Sequence, residues 1–185
     1  MELFHWLLRT DGGVAALILR IILAVVIFLH GAQKVLGWFG GHGFKGTMKS
    51  FTGSGIPTPL AVLAVAAEFL GPLGLAVGFL TRVAAFGIAC VMVVAMVKVH
   101  WQYGFFMNWF GNQKGEGIEY HLLAFGVAIA LMITGGGAWS FDGLLTATLY
   151  AARELHRAVF DREFSQSCVI SHSKVSHERN RAISN

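Results

Sequence analysis

The sequence predicts an all-α membrane protein, a bundle of four transmembrane helices followed by a C-terminal cytoplasmic amphipathic helix. Three observations predict it. Four apolar stretches, 14–36, 58–80, 83–104 and 118–135, each approach the roughly 20 residues that a helix needs to cross the hydrocarbon core. Hydrophobic residues are 55% of the 185-residue chain and charged residues only 13%, against roughly 25% in a soluble domain. The apolar runs are continuous rather than alternating, so helices are expected and not a barrel.

The elements follow in order. Residues 1–13 read as an interfacial lead-in with Trp6 at headgroup level, closed by Asp11-Gly12-Gly13. Their start lacks the basic residues and cleavage pattern of a secretory leader, so the first apolar run is expected to be retained. That span ends near Val35-Leu36-Gly37. The segment 37–57, rich in glycine with Trp38, Phe39, Phe44 and Phe51, reads as an interfacial loop. Pro57 and Pro59 bracket the start of the second span, where proline is tolerated.

Ala67, Gly71, Gly74 and Gly78 give the second span a small-residue face for close helix approach, and Pro72 predicts a kink near Glu68. A short turn at Thr81-Arg82 leads into the third span. Phe105, Phe106, Trp109 and Phe110 mark a second interfacial loop. The fourth span ends at Gly135-Gly136-Gly137, followed by Ser140 and Asp142. Residues 144–160 then form an amphipathic helix with Leu145, Leu149, Ala152 and Val159 on one side and Arg153 and Arg157 on others. Residues 161–185 show no period and read as disordered. The membrane domain thus covers 1–145, and the amphipathic helix and tail cover 146–185.

Charge distribution orients the bundle. The net charge of +4 does not point to nucleic acid, because its placement follows topology. With four spans, all eight arginines and Lys174 lie on one side, and five lysines (Lys34, Lys45, Lys49, Lys98 and Lys114) on the other. The positive-inside tendency places both termini in the cytoplasm. Cys90 and Cys168 are too few for a cysteine-held iron–sulfur cluster, and no haem or flavin motif is present.

Ionisable groups inside the spans are the functional signal, because each costs about 2.5 kcal/mol or more at the bilayer centre. Helical rise places His30, Lys34, Lys98, His100, Glu119 and His121 near the outer boundary, with Glu68 about 15 Å deep and Arg20 towards the cytoplasm. His30 and Lys34 share a face with Gly31 between them in projection. Glu119 and His121 point to opposite faces, as do Lys98 and His100, unless the helix is distorted. Glu119 and His100 are expected inward. A midplane carboxylate such as Glu68 must be protonated or paired, which suits proton transfer; pairing with Arg20 or Lys34 is the structural alternative. His30, His100, Glu119 and His121 have no local metal-ligand spacing, so no metal is assigned. Gly41-His42-Gly43-Phe44-Lys45-Gly46 matches a dinucleotide-binding pattern only formally, because no strand precedes it.

Leu19-Arg20-Ile21 with His30-Gly31-Ala32-Gln33-Lys34 resembles the opening signature of the DoxX family of bacterial membrane proteins. Gly37-Trp38-Phe39-Gly40-Gly41, Pro57-Thr58-Pro59, Glu68-Phe69-Leu70-Gly71, Gly78-Phe79-Leu80-Thr81-Arg82, Gly117-Ile118-Glu119 and Gly135-Gly136-Gly137 with Ser140-Phe141-Asp142 extend the resemblance over 14–145. It implies a compact four-helix protein of the bacterial cytoplasmic (inner) membrane. It also implies links to quinone or catechol detoxification and to oxidoreductase complexes that handle thiol and oxidative stress. The thiosulfate:quinone chemistry behind the family name does not transfer, because this chain has no outward-facing cysteine to hold a sulfane sulfur.

The expected function is that of a quinone-interacting membrane redox protein, a subunit of a larger oxidoreductase complex. Glu68 and His30 are the expected catalytic residues, and Lys34, His100, Glu119, His121 and Trp101 the expected quinone-binding ones. Electrons must come from a redox partner protein or a diffusing thiol. A non-enzymatic scaffold or assembly factor is the alternative. A small proton-coupled transporter is the third reading, weakened by the lack of an inverted repeat.

Overall fold

The computed structural model of the chain describes residues 6–10 and 13–160. Among these residues every regular element is helical. Helix α1 (Val14–Leu36) has 23 residues. Helix α2 (Gly43–Gly53) is short, and α3 (Thr58–Val77) has 20 residues. Helix α4 (Thr81–Ala95) continues through a π-helical turn, Met96–His100, and a 3₁₀ turn, Trp101–Tyr103. Helix α5 covers Glu119–Thr134, and α6 covers 141–160. The run Thr81–Tyr103, α1 and α3 are long and apolar enough to cross a membrane; α5 is apolar but has 16 residues, about 24 Å.

The described residues divide into two compact units, one up to Thr146 and one from Ala147 onward. In the first, α1 packs on α3, α3 on α4, α4 on α5, and α5 returns to α1, which closes a four-helix ring. The centre is built from small side chains, Ala24, Ala85, Ala89, Ala124 and Ala128, around Ile27, Leu75, Ile88 and Leu131. Large apolar side chains such as Leu63, Leu70, Phe86, Leu123 and Ile133 face outward. This inside-small, outside-large arrangement is what helices need when lipid is as apolar as leucine and only close packing distinguishes inside from outside. In the second unit, the exposed Arg157 and Glu154 lie 3.9 Å apart, three residues along the helix. The helix begins at 141 rather than 144. Cys168 and the 161–185 tail, read as disordered from sequence, lie outside the described residues.

One local expectation is corrected. Segment 37–57 is not a loop throughout: after a 3₁₀ turn, Trp38–Gly40, it forms α2, which packs on α1 and α3. Thr47 of α2 is buried and donates its hydroxyl to the Lys34 carbonyl at 3.1 Å. The glycines that made the segment look loop-like provide its turns. Gly37 has a φ of 73°, and a Cβ on Gly41 would collide with the Gln33 carbonyl. Helix α3 continues through Pro72. Proline has no N–H for the carbonyl four residues earlier, which is that of Glu68. A Cβ on Gly31 would fall directly on this carbonyl, so α1 and α3 meet backbone to backbone where the helical hydrogen bond is missing.

The opposite end of the ring is fastened by helix-end groups that reach across the chain. Asp142 accepts hydrogen bonds from the Leu80 and Thr81 amides at 2.8 and 2.9 Å, and so caps α4 from 60 residues away. Arg82 donates to the carbonyls of Met132, Ile133 and Arg9 and lies 4.7 Å from the centre of the Trp6 ring. Two of those carbonyls belong to the last turn of α5, where acceptors lack intrahelical partners and the dipole favours a cation. Arg20, only 1% exposed, donates to the carbonyls of Gly136 at 2.6 Å and Trp139 at 3.1 Å. Gly78 leaves the space its guanidinium occupies. Leu80 and Trp139 have positive φ values, 48° and 50°. The bonds from the Leu80 amide and to the Trp139 carbonyl hold them in that strained region.

The Gly31 contact yields a test. Gly31→Ala is expected to destabilise the protein by about 1–3 kcal/mol through overpacking against the Glu68 carbonyl. Gly126→Ala, where a Cβ meets nothing within 4 Å, should shift stability by less than about 1 kcal/mol. Thermal unfolding of both variants in one detergent checks the difference.

Candidate functional site

The α1–α3 contact positions the first part of the site. Lys34 lies one turn beyond Gly31, and the carbonyl against Gly31 is that of Glu68. With the backbones this close, the Lys34 ammonium reaches the Glu68 carboxylate and forms a direct ion pair. The Glu68 side chain is 4% exposed and that of Lys34 30%. Of the partners considered for Glu68, the structure selects Lys34; Arg20 is committed to the far end. The lysine also stands 5.7 Å from the centre of the Phe51 ring, a face donated by α2.

The second part is a row of rings on α1, α5 and the end of α4. His30 lies 5.5 Å from Tyr120 between ring centres, Tyr120 5.2 Å from His121, and His121 4.0 Å from His100. The Nδ1 of His100 meets the Glu116 carbonyl at 2.8 Å. Two atoms in this row, the Tyr120 hydroxyl and His121 Nδ1, are buried without a hydrogen-bond partner, which is costly unless something else satisfies them. The row starts one turn from the ion pair, since His30 and Lys34 are four residues apart on α1.

The structure reorders the residues expected here. His121 is buried at 8% exposure, and Glu119 is turned to the adjoining loop, where its carboxylate accepts the Met107 amide at 3.1 Å. The angular choice of Glu119 over His121 is therefore reversed, because the loop 104–118 doubles back over the start of α5. In that loop Ile118 and Glu119 donate backbone bonds to the Gly104 and Phe105 carbonyls. The π-helical turn Met96–His100 supplies the distortion that lets His100 reach His121 while Lys98 stays exposed. Trp101 is 69% exposed and faces outward. Tyr120 was not singled out in the sequence, although its place between Glu119 and His121 at the same depth was a usable signal.

Two open grooves flank Gln33. One, of about 310 Å³, is lined by Val26, Leu29, His30, Gln33 and Phe39. Its walls are apolar apart from His30 and Gln33, and Phe39 closes one end with a left-handed φ of 53°. The other, of about 320 Å³, is lined by Lys34, His42, Thr47, Ser50 and Phe51 with the glycine turn 40–41. The Gly41–Gly46 pattern thus forms a turn and the start of α2, with no strand before it. Among the described residues no three histidine, cysteine or acidic side chains group as a metal site.

The family model described as DoxX matches residues 15–101, the stretch that supplies α1 through α4 together with His30, Lys34, Glu68 and His100. Over that stretch the chain is similar to the DoxX family. It is 26% identical over 129 residues to "Putative oxidoreductase CatD" of Bacillus subtilis (strain 168), covering 70% of this chain and 85% of the relative. It is 29% identical over 132 residues to "Inner membrane protein YqjF" of Escherichia coli (strain K12), covering 71% and 92%. No solved structure matches it.

The Lys34–Glu68 ion pair can be tested by a double-mutant cycle. Lys34→Met strands the Glu68 carboxylate and is expected to cost about 3–5 kcal/mol. Glu68→Gln together with Lys34→Met should recover most of that loss, because no unpaired charge remains. Unfolding midpoints of the wild type, both single variants and the double variant measure the coupling.

Proposed function

We propose that this DoxX-like protein binds a quinone and acts as a membrane redox protein, a subunit of an oxidoreductase complex in the bacterial inner membrane with both termini cytoplasmic. The observation that carries the reading is the groove of about 310 Å³ in which an imidazole, His30, and an amide, Gln33, stand among Val26, Leu29 and Phe39. A flat, apolar ring with polar oxygens at its edge matches that lining: apolar walls hold the ring and two polar groups fix its orientation. The name of the Bacillus relative, an oxidoreductase, agrees with this reading.

A bound quinone would supply the capacity to take up two electrons and two protons. The protein's own part is to bind, orient and protonate. His30 is placed to hydrogen-bond a ring oxygen and exchange a proton with it. Gln33 is placed to donate to the same ligand. Lys34, one turn from His30 on α1, is held in its ion pair with Glu68. The buried, unpartnered Tyr120 hydroxyl and His121 Nδ1 fit a site that handles protons. Electrons are expected from a partner protein or a small thiol.

Organic extraction of the protein purified in mild detergent should release quinone in stoichiometric amount, read by its absorbance change on reduction. His30→Ala should raise the Kd for a short-chain ubiquinone analogue by about tenfold, which corresponds to ~1.4 kcal/mol. No extracted quinone, and no saturable binding of the analogue, would favour a non-enzymatic scaffold whose ion pair only holds α1 to α3.

A further inference from the structure

We propose that the outward face of α2 binds the headgroup of an anionic phospholipid, with His42, Lys45 and Lys49 around the phosphate. Helix α2 is two-sided within its short length. Thr47 and Phe51 turn towards α1, where the buried Thr47 bonds the Lys34 carbonyl and the Phe51 ring faces the Lys34 ammonium. On the other side, helical geometry brings His42, Lys45 and Lys49 within about 60° of one another. All three are exposed. Gly46 lies beside them and keeps the face open, since a Cβ there would stand 2.7 Å from the His42 Cβ.

No carboxylate answers these cations. From residue 12 to residue 67 the sequence has no Asp or Glu, and the next acid, Glu68, is committed to Lys34. Neither Lys45 nor Lys49 has an ion-pair partner among the described residues. The other exposed lysines at this end are dispersed: Lys98 is on the π-helical turn, and Lys114 is in the loop two residues from Glu116.

Location selects the partner. Helix α2 joins the end of α1 to the start of α3, both long and apolar enough to cross a membrane, so its outward face lies at the depth of lipid headgroups. Trp38, Phe39 and Phe44 border it and are exposed, and aromatic rings are enriched at that depth. Clustered cations there attract anionic lipid. A second copy of the chain does not complement the patch. Among the described residues the exposed carboxylates are Glu116, which accepts the Asn108 amide, and Glu154, which lies beside Arg157. The groove of about 320 Å³ starts at the edge of the same face, since His42 and Ser50 line it, and it leaves room for the polar headgroup beyond the phosphate. Quinone binding in the groove beside His30 is not needed for this site.

Native mass spectrometry of the full chain in a mild neutral detergent reads the site directly. Offered equal amounts of phosphatidylglycerol and phosphatidylcholine with the same acyl chains, the wild type is expected to retain phosphatidylglycerol with a preference of about tenfold or more. Lys45→Gln with Lys49→Gln should weaken phosphatidylglycerol binding by roughly 25-fold, about fivefold for each lysine, and leave phosphatidylcholine binding unchanged. Lys45→Arg with Lys49→Arg keeps the charge and should keep the preference. Lys98→Gln with Lys114→Gln removes the same charge from the same end and should not alter it. Unchanged unfolding midpoints confirm that the variants fold, and the single variants Lys45→Gln and Lys49→Gln replace the double one if it does not. Equal retention of the two lipids by the wild type would overturn the site. So would a preference that survives Lys45→Gln with Lys49→Gln, or one that Lys98→Gln with Lys114→Gln abolishes equally. Displacement of the lipid by inorganic phosphate at matched ionic strength would mark a site for free anions and overturn the lipid assignment.

Discussion

The close approach of α1 to α3 at Gly31 is the constraint on which the rest of the site depends. It needs three residues at once. Gly31 removes the side chain that would meet α3, Pro72 removes the amide that would bind the Glu68 carbonyl, and Glu68 presents that carbonyl to α1. Backbone contact at this point sets the separation of the helices, and Lys34 one turn further along then meets the Glu68 carboxylate. A wider spacing would leave a buried carboxylate without its cation, which lipid cannot solvate. The small residues elsewhere in the ring serve the same end, because in lipid only close packing and polar contacts favour one helix arrangement over another.

The polar groups divide by end. At the arginine end most are consumed by structure: Arg20 and Arg82 donate to carbonyls that the helix ends leave open, and Asp142 caps α4, while Arg20 Nε and Thr81 Oγ1 stay buried without a hydrogen-bond partner. These bonds allow the sharp, strained turns at Leu80 and Trp139. At the opposite end they are not all consumed. The Lys34–Glu68 pair is closed, but Tyr120 and His121 retain unpartnered buried atoms beside an open groove.

Much of the site could be read along the chain, and the misses share one cause. His30, Lys34 and Glu68 were legible because an ionisable group within an apolar run is conspicuous and helical rise gives its depth. The choice of Lys34 over Arg20 as the partner of Glu68 was not, since it depends on which helices touch and how closely. His121 was ranked below Glu119 by helical angle, but the angle at the first turn of α5 is set by the loop that folds over it. Helix α2 was hidden because its glycines, read as loop formers, provide turns at its start and contact with α1.

The sequence by itself determined that the chain is a helical membrane protein, with four apolar runs and polar groups at depths set by helical rise. Composition and hydrophobic run length carry that information, and a bilayer accepts few other solutions for such a chain. The tertiary structure decided which polar groups neutralise one another, which remain open, and that the π-helical turn brings His100 to His121. Those outcomes turn on distances of an ångström or two between helices far apart in the chain. Only the packing of small residues around Gly31 and the reach of Asp142 and the arginines across the fold fix such distances.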